Sequence, residues 1–291
     1  MINAIVTLYY PDERVMENVK KIAAQADRVF LCDNSPTPSP AFSEGVGENT
    51  EYLFFGENLG LSRAFNRVLC RSGEWKPDHL VFFFDQDSTV EPDHLAVMAE
   101  EYLFLHRAGY PVGALGPVFF NESRGEVEEP RQRQDLSKTA YRTSSLITSS
   151  MLCSYGDLEK IGFWNERVFL DLADWDLSWR LMQKGKICCM TRRVTLRHKI
   201  GNGEVKFGPL RIRRGSAFRE YYQTRDCLYL LFRSYVPAKF RIRFLLMLTV
   251  RPILHLIFLD HRKDRLCYIM RGFLDFFRSR GGEFQRKKKC E

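Results

Sequence analysis

The sequence predicts an α/β protein with a mainly parallel sheet, followed by a helical and strongly basic C-terminal region. Short apolar runs alternate with helix-like segments through the first two thirds of the 291 residues, the pattern that builds parallel sheets. One of these runs, VFFFDQDST (81–89), reads as a buried strand that ends abruptly in two carboxylates, Asp85 and Asp87. In such sheets ligands sit outside the carboxyl ends of the strands. Charge divides the chain as well: residues 202–291 hold 21 Lys+Arg against 8 Asp+Glu, and residues 1–201 hold 23 against 28. The expected domains are 1–205, which carries the chemistry, and 206–291, which is helical and basic.

The elements follow in order. NAIVTLYY, RVFLCDNS, EYLFFGEN and HLVFFFDQD read as strands, separated by the helical segments DERVMENVKKIAAQA (12–26) and GLSRAFNRVLCRSG (60–73) and by a polar loop with Pro36, Pro38 and Pro40. A helix over 92–109 opens on Pro92, whose fixed φ suits a first helical turn. Residues 121–142 are polar and charged, as a flexible loop over the site is. Beyond them lie SSLITSSML, a short helix at 156–162, and a segment over 163–185 that ends in a helix stopped by Gly185. A strand pair, KICCMT and VTLRHK, closes this part.

Three helical segments follow, at 216–235, 238–259 and 262–280. Arg251, Pro252 and His255 interrupt the middle one, so it lacks the 18 uncharged apolar residues of a membrane span. A cationic, aromatic-rich set of helices ending in RKKK (286–289) suits an anionic membrane face, with Phe244, Leu245, Leu248 and Phe258 adding apolar burial. The alternative is that these helices pack on the catalytic domain. The eight cysteines form no CxxC pair, which excludes a zinc ribbon or disulfide framework and makes a reducing cytosol the expected setting. The N-terminus has no basic segment ahead of its apolar run, so no signal peptide is expected.

Two carboxylates one residue apart at a strand end need a cation, because burying unpaired charge is too costly. Hard divalent ions, Mg²⁺ or Mn²⁺, take such oxygen ligands together with substrate phosphates. The competing reading makes Asp87 or Ser88 a cap for the following helix. A second acidic cluster, Asp171, Asp174 and Asp176, gathers ahead of an amphipathic helix, and three acids in six positions exceed what capping needs. One of them beside an acceptor hydroxyl can serve as general base. His198, in LRHKIGNG, closes a strand and is a reasonable further metal ligand.

In that order, TLYYP, CDNS, NLGLSRAFN (58–66), DQDS, FLDLADWD (169–176) with Trp179 and Arg180, and RHKIG resemble the motifs of the second family of inverting nucleotide-sugar glycosyltransferases. DQDS and FLDLADWD are most similar to bacterial rhamnosyltransferases of surface-polysaccharide assembly. The resemblance covers roughly residues 3–201 and, more weakly, 219–233 and 271–282.

It implies a GT-A fold and a sugar, L-rhamnose from dTDP-rhamnose, moved from a dTDP- or UDP-sugar onto a lipid-linked glycan at the inner face of the cytoplasmic membrane. Under it Asp33 accepts a hydrogen bond from the pyrimidine N3–H, and Asn58, Gly60 and Asn66 form the turn lining the donor pocket. Asp85 meets the ribose and metal region, and Asp87 with His198 ligates the ion bridging the diphosphate. Asp174 matches the catalytic base. Position 173 is Ala where relatives carry Glu, so the base stays open between Asp174, Asp171 and Asp176. Asp226 stands where relatives carry Asn after Arg225. Two other classes compete: a nucleotidyltransferase, which lacks its Gly-rich, Lys-bearing phosphate loop here, and a non-enzymatic polyanion binder. Nucleic acid is not an expected partner, since the aromatics fall at helical spacing and not on a sheet platform.

Overall fold

The computed structural model describes residues 1–43, 46–121, 125–129, 134–198, 204–207, 210–213 and 215–282. Asp12 starts the first helix. Its carboxylate accepts from the backbone N–H groups of Arg14 and Val15 at 3.0 and 3.1 Å, satisfying two donors the helix cannot pair itself. Helix α1 (Glu13–Ala23) therefore begins soon after strand β1 (Ile2–Leu8). It lays Val15, Val19 and Ile22 on one buried face. In chain order come β2 (Arg28–Asp33), α2 (Pro40–Ser43), β3 (Thr50–Phe54), α3 (Gly60–Leu69), β4 (Leu80–Asp85), α4 (His94–Arg107) and β5 (Val112–Asn121). These are followed by β6 (Glu126–Glu128), β7 (Gln134–Asp135), β8 (Ala140–Thr143), β9 (Met151–Ser154), α5 (Tyr155–Lys160), α6 (Ala173–Gln183) and β10 (Ile187–His198).

The strands form one sheet in the order β3-β2-β1-β4-β9-β5-β10-β8-β7, with β6 on β5. The first four are mutually parallel, β9 runs antiparallel between β4 and β5, and β10 is parallel to β5. The strand order reverses at β1 and β4, which is where ligands sit in such sheets. Register aligns the ends: Leu8 pairs Asp33, Asp33 pairs Phe54, and Thr7 pairs Asp85. Asp33 and Asp85 thus stand two strand spacings apart, about 10 Å.

The three phenylalanines of β4 explain why its end is held so firmly. Phe82 and Phe84 stack at 6.0 Å in the core that α1 and α4 cover. Phe83 points to the opposite face, 4.8 Å from Phe65 of α3 and 5.0 Å from Trp164. Burying each ring is worth about 1.5–3 kcal/mol. A strand anchored on both faces can carry carboxylates at its tip without moving.

Three details differ from the expectation. Helix α4 starts at His94, under Asp93 and not at Pro92. The polar segment 121–142 carries the short strands β6, β7 and β8, with positions 122–124 and 130–133 outside the described residues. KICCMT and VTLRHK are one strand with a register shift between Thr191 and Thr195. Arg192, which lies between the two runs, is paired: it donates to Glu129 at 2.7 Å and to Asp135 at 2.9 Å.

Residues 1–165 and 174–200 make one compact unit, and 166–173 with 201–291 make a second. The second unit holds the hairpin β11 (Glu204–Phe207) and β12 (Leu210–Arg213), then α7 (Arg219–Leu231), α8 (Ala238–Phe258) and α9 (Arg262–Phe277). A buried ionic cluster ties its helices. Glu220 of α7 accepts from His255 Nδ1 of α8 at 2.6 Å and from Arg265 Nη1 of α9 at 3.0 Å. Close packing does the rest: a Cβ at Gly272 of α9 would lie 2.8 Å from the Tyr221 carbonyl oxygen, so only glycine admits α7 at that distance.

Burial alone raises the Glu220 pKa, but the His255 hydrogen bond and the charges of Arg251, His255 and Arg265 outweigh it and hold the carboxyl below its ordinary 4.5. Its contribution to stability is present above that ordinary value and is lost as pH falls through the lower folded one. Glu220→Gln leaves two arginines facing a neutral side chain and is expected to cost on the order of 3–5 kcal/mol. Hydrogen exchange of the α7–α9 amides measures it; unchanged protection would show that apolar packing alone holds the unit.

Among the described residues no helix is long and apolar enough to cross a membrane. The apolar surface of α8 is not the one expected. Phe244 is buried and Leu248 and Phe258 are only partly exposed, whereas Ile242, Leu245, Leu246, Val250, Ile253 and Ile257 are exposed. The spacing of three and four places them in one stripe, and Phe244 falls on the opposite, core side.

Candidate active site

Asp85, the last residue of β4, is half-buried, and its Oδ2 accepts from Ser149 Oγ at 2.8 Å. Ser149 lies in the buried run Thr148-Ser149-Ser150, where Ser150 adopts φ 62°. That conformation costs a non-glycine residue about 1–3 kcal/mol. The Ser150 hydroxyl is 2.7 Å from Nε2 of His94, a ring that burial keeps neutral by lowering its pKa to about 4. Asp85 is thereby aimed by a chain of buried groups from α4 and the turn before β9. Asp87 is exposed.

The capping alternative for Asp87 and Ser88 fails, because the next helix begins at His94 and its N-cap, Asp93, makes no side-chain cap bond. Ser88 Oγ is buried in the same turn without a hydrogen-bond partner among the described residues. Thr89 bridges Arg197 of β10, which brings the backbone of His198 beside the Asp85–Asp87 turn; the His198 side chain lies outside the described residues. Among those residues, no three His, Cys, Asp or Glu gather as a metal-holding group. Two oxygen ligands and a buried unpaired hydroxyl fit a hard divalent ion that takes its remaining ligands from a bound phosphate and water.

On the nucleotide side, Asp33 is fully buried. Its Oδ1 accepts from Ser35 N–H at 2.8 Å and its Oδ2 from the Tyr52 hydroxyl at 2.5 Å. Burial and that bond push the Tyr52 pKa up to about 12, so the phenol stays a donor. Gly60 sits at φ 74°, the left-handed conformation that favours glycine. Asn58 Oδ1 accepts from its N–H at 2.9 Å, and Asn34 Oδ1 accepts from Leu59 N–H at 3.1 Å. The turn is thus latched to the end of β2. Asn66 serves differently from expectation: both ends of its amide clamp the Trp164 backbone, at 2.9 and 3.0 Å. It positions Trp164 beneath β4.

The three acids of the second cluster separate by environment. Asp171 belongs to the second unit, where Arg219 and Gln223 Nε2 (2.9 Å) donate to it. Asp176 is fully buried and accepts from Arg180 Nε at 2.7 Å and Asn165 at 3.3 Å. Both hold structure. Asp174 is half-buried in the first turn of α6, with Oδ1 accepting from Trp175 N–H at 2.8 Å. Leu172, two residues before it, has φ 73°, a strained entry into the helix.

No family model matches the chain. In sequence it is 23% identical over 253 residues to the dTDP-rhamnosyl transferase RfbF of Shigella flexneri, covering 83% of each chain. In fold it is similar to S. aureus TarS 1-349 in complex with UDP-GlcNAc, with a TM-score of 0.56, 12% identity and 96% of this chain against 81% of that one. The chain is thus similar in sequence and in fold to glycosyltransferases. The same fold extends to GalNAc-T7 crystallised with UDP, GalNAc and Mn²⁺, at a TM-score of 0.52 and 9% identity over 87% of this chain. The chain spans 57% of GalNAc-T7. Ser149, His94 and Tyr52, which orient Asp85 and Asp33, carry no sequence signal, since each meets its partner only through the fold.

Proposed function

We propose that this protein is a glycosyltransferase that moves L-rhamnose from dTDP-rhamnose onto a lipid-linked glycan acceptor, by single displacement with inversion, at the inner face of the bacterial cytoplasmic membrane. The observation that carries the reading is the paired-carboxylate tip of β4, in a chain related over most of its length to a dTDP-rhamnosyl transferase. Asp33 takes the N3–H of the pyrimidine, and the Asn58–Gly60 turn approaches the donor with backbone alone. Asp85 and Asp87, with His198, would hold Mg²⁺ or Mn²⁺. When bound, the ion supplies Lewis-acid neutralisation of charge on the departing nucleoside diphosphate. Asp174, in the first turn of α6 at the position that matches the base of the resembled family, accepts the proton of the attacking hydroxyl. The exposed stripe of α8 and the basic C-terminal unit hold the enzyme on an anionic surface near its acceptor.

A panel of sugar nucleotides, scored for nucleoside diphosphate release with crude lipid-linked acceptor, tests this. Release with dTDP-rhamnose above the rest is expected. Release with a different sugar overturns the donor, and release with none overturns the reading.

A further inference from the structure

The second unit contains a cleft of about 270 Å³ that the transfer chemistry does not use. Four arginines, Arg167, Arg225, Arg233 and Arg280, line it against a single carboxylate, Asp226. Arg225 is buried and committed to that carboxylate, with Nε 2.7 Å from Asp226 Oδ1 and Nη1 2.6 Å from the Gly282 carbonyl oxygen. It forms a neutralised floor. The remaining arginines leave the cleft cationic. Arg280 shares Asp275 with Arg271, at 3.4 and 2.9 Å, so one carboxylate serves two guanidinium groups.

Arg233 lies 4.0 Å over the Tyr229 ring and its Nε–H is buried with no hydrogen-bond partner among the described residues. Leaving such a donor unpaired costs about 1–3 kcal/mol, a cost that an incoming acceptor removes. Guanidinium forks match phosphate oxygens in pairs.

The cleft's rim narrows the choice of anion. Leu266, Met270, Leu274 and Phe277 form an exposed stripe along α9, and Phe277, which is 77% exposed, also lines the cleft. Beside it Phe232, 71% exposed, stacks on Phe276 at 6.0 Å. A soluble anion has no use for such a rim, whereas a phosphate carried on acyl chains meets both surfaces at once.

We propose that this cleft binds the phosphate headgroup of an anionic membrane lipid, with Phe277 and Phe232 entering the apolar layer beside it. The inference rests on the membrane-surface reading of the C-terminal unit and gives it a specific headgroup contact. Binding is then headgroup-selective in addition to charge-driven: a phosphomonoester offers more oxygens to Arg233 and Arg280 than a diester of equal surface charge.

The test uses the full-length protein and co-sedimentation with phosphatidylcholine vesicles containing phosphatidic acid or phosphatidylglycerol at matched surface charge. Wild type is expected to favour phosphatidic acid by about tenfold, the worth of one net charge-assisted hydrogen bond. Arg233→Gln with Arg280→Gln should erase that preference while retaining melting temperature, dTDP affinity and the weaker charge-driven binding. Equal binding of wild type to both vesicles overturns the proposal, as does full preference in the double variant. Inorganic pyrophosphate binding that the variant loses, without any vesicle preference in wild type, assigns the cleft to a soluble anion and overturns it too. Failure of dTDP to bind wild type would count against the transferase reading alone, and the vesicle comparison decides the headgroup site independently.

Discussion

Asp174→Asn is expected to lower turnover by about 10²–10⁴-fold, the usual contribution of a general base, which corresponds to about 2.7–5.4 kcal/mol of barrier. The substitution is nearly isosteric and its Oδ1 still accepts from Trp175 N–H, so α6 keeps its start. What disappears is the capacity to take the acceptor proton. Donor affinity should barely move, because the nucleotide-side residues Asp33, Asn58 and Gly60 are untouched. The split between kcat and nucleotide Kd is the diagnostic. Asp171→Asn and Asp176→Asn should instead lower stability, because each strips a carboxylate from an arginine. A larger loss of turnover in a folded Asp171→Asn or Asp176→Asn enzyme than in Asp174→Asn would move the base to that residue.

Asp87→Ala is expected to bring transfer to background with an unchanged melting temperature. Asp87 is exposed at the end of β4 and supports no packing, and exposed substitutions of that kind cost within about 0.5 kcal/mol. If Asp87 is a ligand as proposed, dTDP binding should lose its dependence on added Mn²⁺ or Mg²⁺. Calorimetric titration of nucleotide with and without the ion reads this apart from activity. Full transfer by Asp87→Ala, or by wild type in excess chelator, contradicts the metal assignment.

The fold was legible because its signals are local. A continuous apolar run followed by DQD marks a buried strand and its exposed tip within nine residues, and Asp12 and Gly185 punctuate helices by their own chemistry. What was illegible depends on partners distant in the chain. Ser149 meets Asp85 from 64 positions away, and Asn66 clamps a peptide 98 positions on. Arg192 and Arg193 fall between two runs expected as separate strands, and in the single strand Glu129 and Asp135 neutralise the first and Glu100 the second.

Asp226 is a similar case. Its sequence context offers no reason for an acid in place of Asn. In the fold it accepts from Arg225 at 2.7 Å and from Phe169 N–H at 3.1 Å. Burial raises its pKa to about 6 in spite of Arg225. Asn could satisfy only one of these two donors. Phe244 of α8 was expected among the membrane-facing side chains, but helical phase places it inward at 0% exposure.

The stereochemistry of transfer tests the central claim most directly. The proposed mechanism, in which Asp85 and Asp87 would hold the ion and Asp174 takes the acceptor proton, is one in-line displacement. Proton NMR of the product linkage, with dTDP-rhamnose as donor and a synthetic lipid-linked acceptor, should show the anomeric configuration opposite to the donor's. Retention of the donor configuration would contradict the account.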